Sequence, residues 1–112
     1  MKSGAKSNLL ESQIFEMQSR ICKAFANPTR LRILDLLGQR EWSFAELLET
    51  LGISKTNLSQ HLAVLKASGV VATRREGKTL YCSLAIPEVK TACKLIRNVL
   101  KHQIQDSHKL LG

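Results

Sequence analysis

A short stretch of the chain combines a leucine stripe with a row of polar side chains. Leu58, Leu62 and Leu65 recur at the spacing of one helix face. The side chains that face away from them all donate or accept hydrogen bonds: Lys55, Thr56, Asn57, Ser59, Gln60 and His61. Side chains of these lengths suit base edges and phosphates, and Ser54 precedes them as an N-cap, where free amides attract an anion. The stretch predicts a helix that contacts DNA, whereas the alternative is a face that is only solvated.

Basic residues follow in a second segment. Between residues 54 and 79, five basic residues stand against one acidic residue, so less than a quarter of the chain holds +4 of the net charge of +8. Residues 41–51 contain three glutamates and no basic residue. This uneven distribution favours a polyanionic partner, with nucleic acid ahead of a membrane surface. We expect Arg74, Arg75, Lys78 and Thr79 to contact DNA.

Caps and hydrophobic spacing predict the helices that precede these segments. A first amphipathic helix is expected over about residues 8–26. Asn27 and Pro28 suit the N-cap and first position of a second helix, in which Leu31, Leu34 and Leu37 share one face. The chain of 112 residues has room for one domain, so these helices must belong to the same core as the polar stretch.

The third and fourth helices form a pair joined by a short turn. Ser43 and Glu46 make a capping box at the start of the third helix, which ends at Gly52. The fourth helix carries the polar row and ends near Gly69. This pair, about residues 43–68, has the layout of a helix-turn-helix.

The hydrophobic period then changes from helix to strand. Residues 70–75 and 78–84 are expected to form a hairpin around Glu76 and Gly77, and a last helix follows Pro87. The fold class is therefore mainly α with a small β-hairpin, in the order α-α-α-α-β-β-α. It is one winged helix-turn-helix domain over residues 1–112, with the wing at about 70–84 and frayed ends at 1–7 and 106–112. In such a module the second helix of the pair enters the DNA major groove.

Two motifs resemble those of a known family. Residues 27–34, Asn-Pro-Thr-Arg-Leu-Arg-Ile-Leu, and residues 58–62, Leu-Ser-Gln-His-Leu, followed by the Arg-Arg-Glu-Gly-Lys of residues 74–78, are similar to the ArsR/SmtB family of bacterial transcriptional repressors. The similarity covers about residues 20–85. It implies a homodimer, joined through the first and last helices, that binds an imperfect palindrome in double-stranded DNA until an effector releases it. The apolar stripes of those two helices independently favour an interface.

The residues that would sense an effector are harder to place. The third helix lacks the cysteines of the family's thiolate metal site, and His102 and His108 cannot complete its other metal site without carboxylates or a partner subunit. The positions of the family's thiol switch correspond to Asp35 and Lys101. No metal or cofactor is therefore predicted. The effector stays open between a redox signal, a soft metal and, for a constitutive repressor, none.

Three scattered cysteines exclude a disulfide scaffold and indicate a reducing cytoplasm. Cys22 and Cys93 lie on the apolar stripes of the first and last helices, where they are candidates for a thiol sensor. Together with Cys82, they can equally be small buried hydrophobic residues.

Other functional classes find little support in the chain. There is no phosphate-binding glycine loop and no nucleophile elbow or metalloprotease motif, so an enzyme is not expected. No apolar run is long enough for a membrane span or a secretory signal. The remaining alternative is a winged helix that binds another protein, but its recognition face would then be apolar.

Overall fold

A computed structural model describes the chain from Lys2 to Leu111, with side-chain positions for residues 8–108; Met1 and Gly112 lie outside the described residues. The helices and strands follow in the order α1 (Lys2–Phe25), α2 (Pro28–Gln39), β1 (Trp42–Ser43), α3 (Phe44–Leu51), α4 (Lys55–Ala67), β2 (Val71–Glu76), β3 (Thr79–Leu84) and α5 (Glu88–Leu111). Among the helices described, none is long and apolar enough to cross a membrane.

Side chains cap α2 and α3 at the predicted positions. The Oδ1 atom of Asn27 accepts a hydrogen bond from the Arg30 amide at 3.0 Å, and Pro28 occupies the first position of α2. The Oγ atom of Ser43 accepts from the Glu46 amide at 3.1 Å, and the Glu46 carboxylate accepts from the Ser43 amide at 2.9 Å. The predicted capping box is confirmed.

A short turn joins α3 to α4. Gly52 has φ of 66°, a left-handed conformation that glycine adopts without strain, and its amide donates to the Leu48 carbonyl at 3.0 Å. Ser54 Oγ then accepts from the Asn57 amide at 3.1 Å and starts α4. Because both ends of the turn are held by hydrogen bonds, the orientation of α4 relative to α3 is defined.

The sheet has one strand more than the sequence predicted. β2 and β3 form the expected antiparallel hairpin, and β1 pairs with the other edge of β3 in the order β1-β3-β2. The hairpin turn also lies one residue later than predicted, because Glu76 pairs with Thr79 and leaves Gly77 and Lys78 as the central residues. Gly77 has φ of 62°. A positive φ at the first central position is typical of a type II′ turn.

The core lies between α2, α3, α4 and the sheet. Its fully buried side chains are Ile33, Leu34, Leu47, Leu58, Leu65 and Cys82. The predicted face of α2 is wrong at one position: Leu31 is 37% exposed and Ile33 is buried in its place. The leucine stripe of α4 is buried as predicted.

The terminal helices contribute little to this core. Of the described side chains in α1 and α5, only Ala24 and Val89 are buried. Both helices are also longer than predicted, since they continue through residues 2–7 and 106–111, where the sequence indicated frayed ends. The Cα radius of gyration is 17.8 Å, compared with about 13 Å for a compact chain of this length. Two long helices therefore extend beyond the packed domain.

Candidate nucleic-acid interface

Helix α4 presents its polar row to solvent. Ser54, Lys55, Thr56, Asn57, Ser59 and Gln60 are exposed, while the leucines of the opposite face are buried. The Ser54 hydroxyl accepts the Asn57 amide, so its first role in the structure is to cap the helix. The exposed row spans the first two turns of α4, the part of a recognition helix whose side chains reach base edges.

His61 has a different environment from the rest of this row. Its side chain is half-buried, and its Nδ1 atom lies 3.3 Å from Nη1 of Arg30 in α2. The same guanidinium donates to the carbonyls of Ala24 at 2.7 Å and Lys23 at 3.1 Å. Arg30 thus connects the end of α1 to α4, and His61 packs within the domain more than it faces outward.

A groove separates α4 from the wing formed by β2 and β3. Ser59 of α4, Phe44 at the start of α3 and Arg75, Lys78 and Thr79 of the wing line a depression of about 370 Å³. We call this depression and its rim the α4–wing groove. All four of its polar residues are exposed. It brings together residues that the sequence predicted for DNA contact from two separate segments.

A second depression continues the groove along α4. Lys66, near the end of the helix, lines it together with Ser59, Ala63 and both arginines of the wing, Arg74 and Arg75. Lys66 belongs to the basic segment of the sequence but was not predicted as a contact residue. The spacing could have predicted this contact, because Lys66 follows Ser59 by seven residues and therefore lies on the same side of α4.

Arg74 lines the second depression as well, but its guanidinium lies on the opposite face of the wing. Neighbouring residues of a strand point to opposite sides of a sheet, so Arg74 lies beside its cross-strand partner Tyr81, with its guanidinium carbon 4.5 Å from the ring centroid. Its two terminal nitrogens donate to Glu41 at 2.6 Å and Glu76 at 2.8 Å. Two carboxylates therefore compensate a charge that the sequence assigned to DNA contact.

The acidic residues of this region have structural partners. Hydrogen bonds from Arg74 hold the pKa of the Glu41 carboxyl below its usual value. The pKa of Glu46 is also lowered, first by the backbone amide of Ser43 and then by Arg40, whose Nη2 lies 3.2 Å from Oε2. These glutamates stabilise the fold around β1 and α3.

The cysteines fall into three environments. Cys22 is exposed on α1, Cys93 is half-buried on the side of α5 that faces α2, and Cys82 is fully buried in β3. Burial raises the pKa of both the Cys82 and the Cys93 thiols. Cys22 and Cys93 line different depressions of the chain.

Metal-ligating residues are dispersed over the part of the chain that the structure describes. Within it, no group of three or more histidine, cysteine, aspartate or glutamate side chains is arranged to hold a metal ion.

The geometry is that of a winged helix-turn-helix domain of the DNA-binding kind. A family model described as "Helix-turn-helix domain" matches residues 25–74, from the end of α1 to the middle of β2. The HTH-type transcriptional regulator Rv0081 of Mycobacterium tuberculosis is 38% identical over 99 residues, which are 87% of each chain. The transcriptional activator HlyU of Vibrio cholerae is 39% identical over 97 residues, 86% of this chain and 90% of that protein.

Solved structures agree with these sequence relationships. The crystal structure of Rv0081 superposes with a TM-score of 0.78 over 84% of this chain and 95% of that one. A homodimeric winged helix-turn-helix DNA-binding domain from Mycobacterium bovis, described as a possible ArsR-family regulator, is 32% identical. It superposes with a TM-score of 0.79 over 86% of this chain and 89% of that one. The chain belongs to the winged helix-turn-helix transcriptional regulators of the ArsR/SmtB type, as its motifs implied.

Proposed function

We propose that this regulator is a homodimeric repressor that binds an imperfect palindrome in double-stranded DNA and is released by an effector. In this proposal α4 enters the major groove, and the wing contacts the phosphate backbone beside it. The observation that carries the proposal is the α4–wing groove, where Ser59 of the exposed polar row of α4 lines one depression with Arg75 and Lys78 of the wing.

The contacts divide into two chemical classes. Asn57 and Gln60 have amide side chains, which can pair with two atoms of one base and so distinguish sequences. Arg75, Lys78 and Lys66 are cations at the groove and its continuation. Cations fix the position of a protein on the duplex through phosphates and carry no sequence information of their own. Arg74 contributes to the shape of the wing, because Glu41 and Glu76 compensate its charge.

Dimerisation through α1 and α5 is the second part of the proposal. These helices expose large apolar side chains that the domain does not cover: Leu9, Leu10, Ile14, Phe15 and Met17 in α1, and Leu95, Ile96, Val99, Leu100 and Ile104 in α5. Large exposed apolar surfaces are typical of an interface. The related domain from Mycobacterium bovis is described as homodimeric, and a two-fold dimer would place two copies of α4 about one DNA turn apart.

Repression is the direction of control that we propose. The similar proteins include the transcriptional repressor SdpR of Bacillus subtilis and a probable mercury resistance operon repressor of Streptomyces lividans, although HlyU is named an activator. A dimer of this DNA-binding domain acts most simply by occupying promoter DNA. A regulator of this kind works beside the chromosome, so we place it in the bacterial cytoplasm.

A gel-shift experiment on DNA from upstream of the chain's own gene tests the proposal. We expect a complex of one dimer on that fragment and a much weaker one on scrambled DNA of equal length. Repeating the titration with oxidant, reductant and a panel of metal ions then identifies the class of effector. Equal binding to both DNAs, or a complex that contains one protomer, would contradict the proposal.

A further inference from the structure

A groove on the far side of the domain has its own chemical character. It lies between α2 and α5 and has a volume of about 250 Å³. Leu34 and Cys93 form its apolar part, and both pack in or against the hydrophobic core. We call it the α2–α5 groove; none of the residues predicted for DNA contact lines it.

The rim of this groove is strongly basic. Lys90, Lys94, Arg97 and Lys101 all line it from α5, whereas Asp35 of α2 is the one acidic residue on the lining. Asp35 pairs with Arg97 at 3.1 Å, and both side chains are about half exposed. The rim therefore keeps a net charge of +3 around an apolar floor.

The spacing of these cations shows that they share one helix face. Residues 90, 94, 97 and 101 are separated by four, three and four positions, so they stack along one side of α5. Like charges at this spacing repel each other and lower helix stability. The exposed apolar residues Leu95, Ile96 and Val99 lie on other sides of the helix. Ile104, however, follows Arg97 by two turns and lies on the side of the cations, so the groove borders the apolar surface proposed for dimerisation.

Lys90 packs close to Gly38 at one end of the groove. A Cβ atom at position 38 would lie 3.4 Å from the Cγ atom of Lys90, which is ordinary van der Waals contact, so the stem of Lys90 lies near α2. An apolar floor below cations suits a ligand that has an acidic head and a short hydrocarbon part.

We propose that the α2–α5 groove binds a small organic anion, such as a carboxylate with a short apolar chain, and that this anion is an effector of the regulator. The effector role of this anion, unlike its binding, rests on the proposed function. Helix α2 joins the two sites, because it packs on α5 and also contacts α4 through Arg30 and His61. A ligand wedged between α2 and α5 would shift the proposed dimer helix relative to the reading helix.

Binding is tested on the full chain by NMR, with hexanoate as the probe. Backbone amide shifts are followed as sodium hexanoate replaces sodium chloride at constant ionic strength. We expect the changes to centre on Asp35, Gly38, Cys93 and Lys94, and to be absent with hexylammonium chloride, which has the same tail and the opposite charge. No change at these residues, or equal changes with the ammonium probe, would overturn the proposal.

Matched variants separate groove binding from a general effect of charge. Lys94→Gln/Lys101→Gln removes two cations of the rim, and Arg20→Gln/Arg32→Gln removes two exposed cations elsewhere on α1 and α2. We expect the first variant to bind hexanoate about tenfold more weakly, since two charge-assisted contacts are lost, and the second to bind it as the unaltered chain does. Equal affinities for both variants would overturn the site. If both fold but the first binds DNA more weakly without hexanoate, the rim is a DNA contact instead.

The effector role has a separate readout in DNA affinity. At constant ionic strength, saturating hexanoate should lower the affinity of the unaltered chain for its operator by about fivefold, at the lower end of typical couplings between two sites. At a hexanoate concentration that half-saturates the unaltered chain, the loss of DNA affinity should be several times smaller for Lys94→Gln/Lys101→Gln, because this variant binds hexanoate about tenfold more weakly. NMR binding without a change in DNA affinity would overturn the effector role. NMR binding by a chain that binds no DNA at all would instead overturn the proposed function.

Discussion

Arg74 and Arg75 are adjacent in β2, yet the two arginines have opposite surroundings. Arg74 is held between Glu41 and Glu76 and lies over the ring of Tyr81. Arg75 lies on the other face of the strand, where it lines the α4–wing groove with Lys78. The strand period separates them, and the carboxylates of one face decide which charge is available to a ligand. A count of basic residues along the sequence gives both the same weight.

The two regions that contain these arginines also differ in the chemistry of their surfaces. The outer face of the wing, with β1 and the start of α3, is a surface of ion pairs and caps that stabilises the fold. The α4–wing groove has exposed polar side chains and cations without an acidic residue on its lining. We therefore expect substitutions in the groove to change DNA binding and substitutions on the outer face to change stability.

The largest effect is expected from removing the two wing cations of the groove. Arg75→Ala/Lys78→Ala should weaken DNA binding by roughly 10²-fold or more near 100 mM salt, because each protomer loses two phosphate contacts. Fluorescence anisotropy on a labelled upstream fragment measures the change. The loss should be the same on specific and scrambled DNA, since phosphates carry no sequence information.

The matched control is the neighbouring arginine. Arg74→Ala should change DNA affinity by less than about threefold, since a compensated charge releases few counterions on binding. If Arg74→Ala weakens binding as much as the double variant does, the assignment of the two faces is wrong.

Gln60 should affect sequence preference more than overall affinity. Gln60→Ala removes an amide that can pair with an adenine edge, which is worth about 1–3 kcal/mol of discrimination at one base pair. Competition between operator fragments that differ at single positions would reveal it. An unchanged ranking of those fragments would show that Gln60 does not face the bases.

On the outer face of the wing, with β1 and the start of α3, the capping box should make the largest contribution to the free energy of unfolding. Ser43→Ala removes the acceptor for the Glu46 amide and should lower the free energy of unfolding by about 1 kcal/mol. Chemical denaturation measures this change, and Ser12→Ala, at an exposed position of α1, serves as the control. Equal stability of the two variants would argue against the cap.

The Glu41–Arg74 pair should give the smallest effect, one that depends on pH. The pKa of Glu41 is lower in the folded chain than in the unfolded chain, so its stabilisation is present above the unfolded value and is lost as pH falls through the folded value. Glu41→Gln should therefore have a lower Tm than the unaltered chain at pH 7 and the same Tm in strong acid. A difference in Tm that persists unchanged in acid would mean that the pair has no ionic contribution.

The sequence predicted the parts of the fold that local chemistry determines. Asn27, Ser43 and Ser54 cap helices where they were expected to, because a cap needs only its neighbours three residues away. β1 was missed because two residues, Trp42 and Ser43, are too short to show a strand period. Its pairing depends on β3, which lies almost forty residues later.

For the candidate site, too, local patterns were predictable from the sequence and long-range contacts were not. The polar row of α4 and the basic wing followed from type and spacing, and Ser59 of that row lines one groove with Arg75, Lys78 and Thr79. The pairing of Arg74 with Glu41 was not predictable, because the two residues are 33 positions apart and meet only through β1 and β3. The partnership of His61 with Arg30, 31 positions away, has the same origin.

The most direct test of the central claim is the salt dependence of DNA binding by the two arginine variants. The affinity for the upstream fragment should fall linearly on logarithmic axes with salt, and the slope should decrease for Arg75→Ala but not for Arg74→Ala. That result would establish the α4–wing groove as the DNA-binding surface. Equal slopes for the two variants, or an affinity that does not depend on salt, would contradict it.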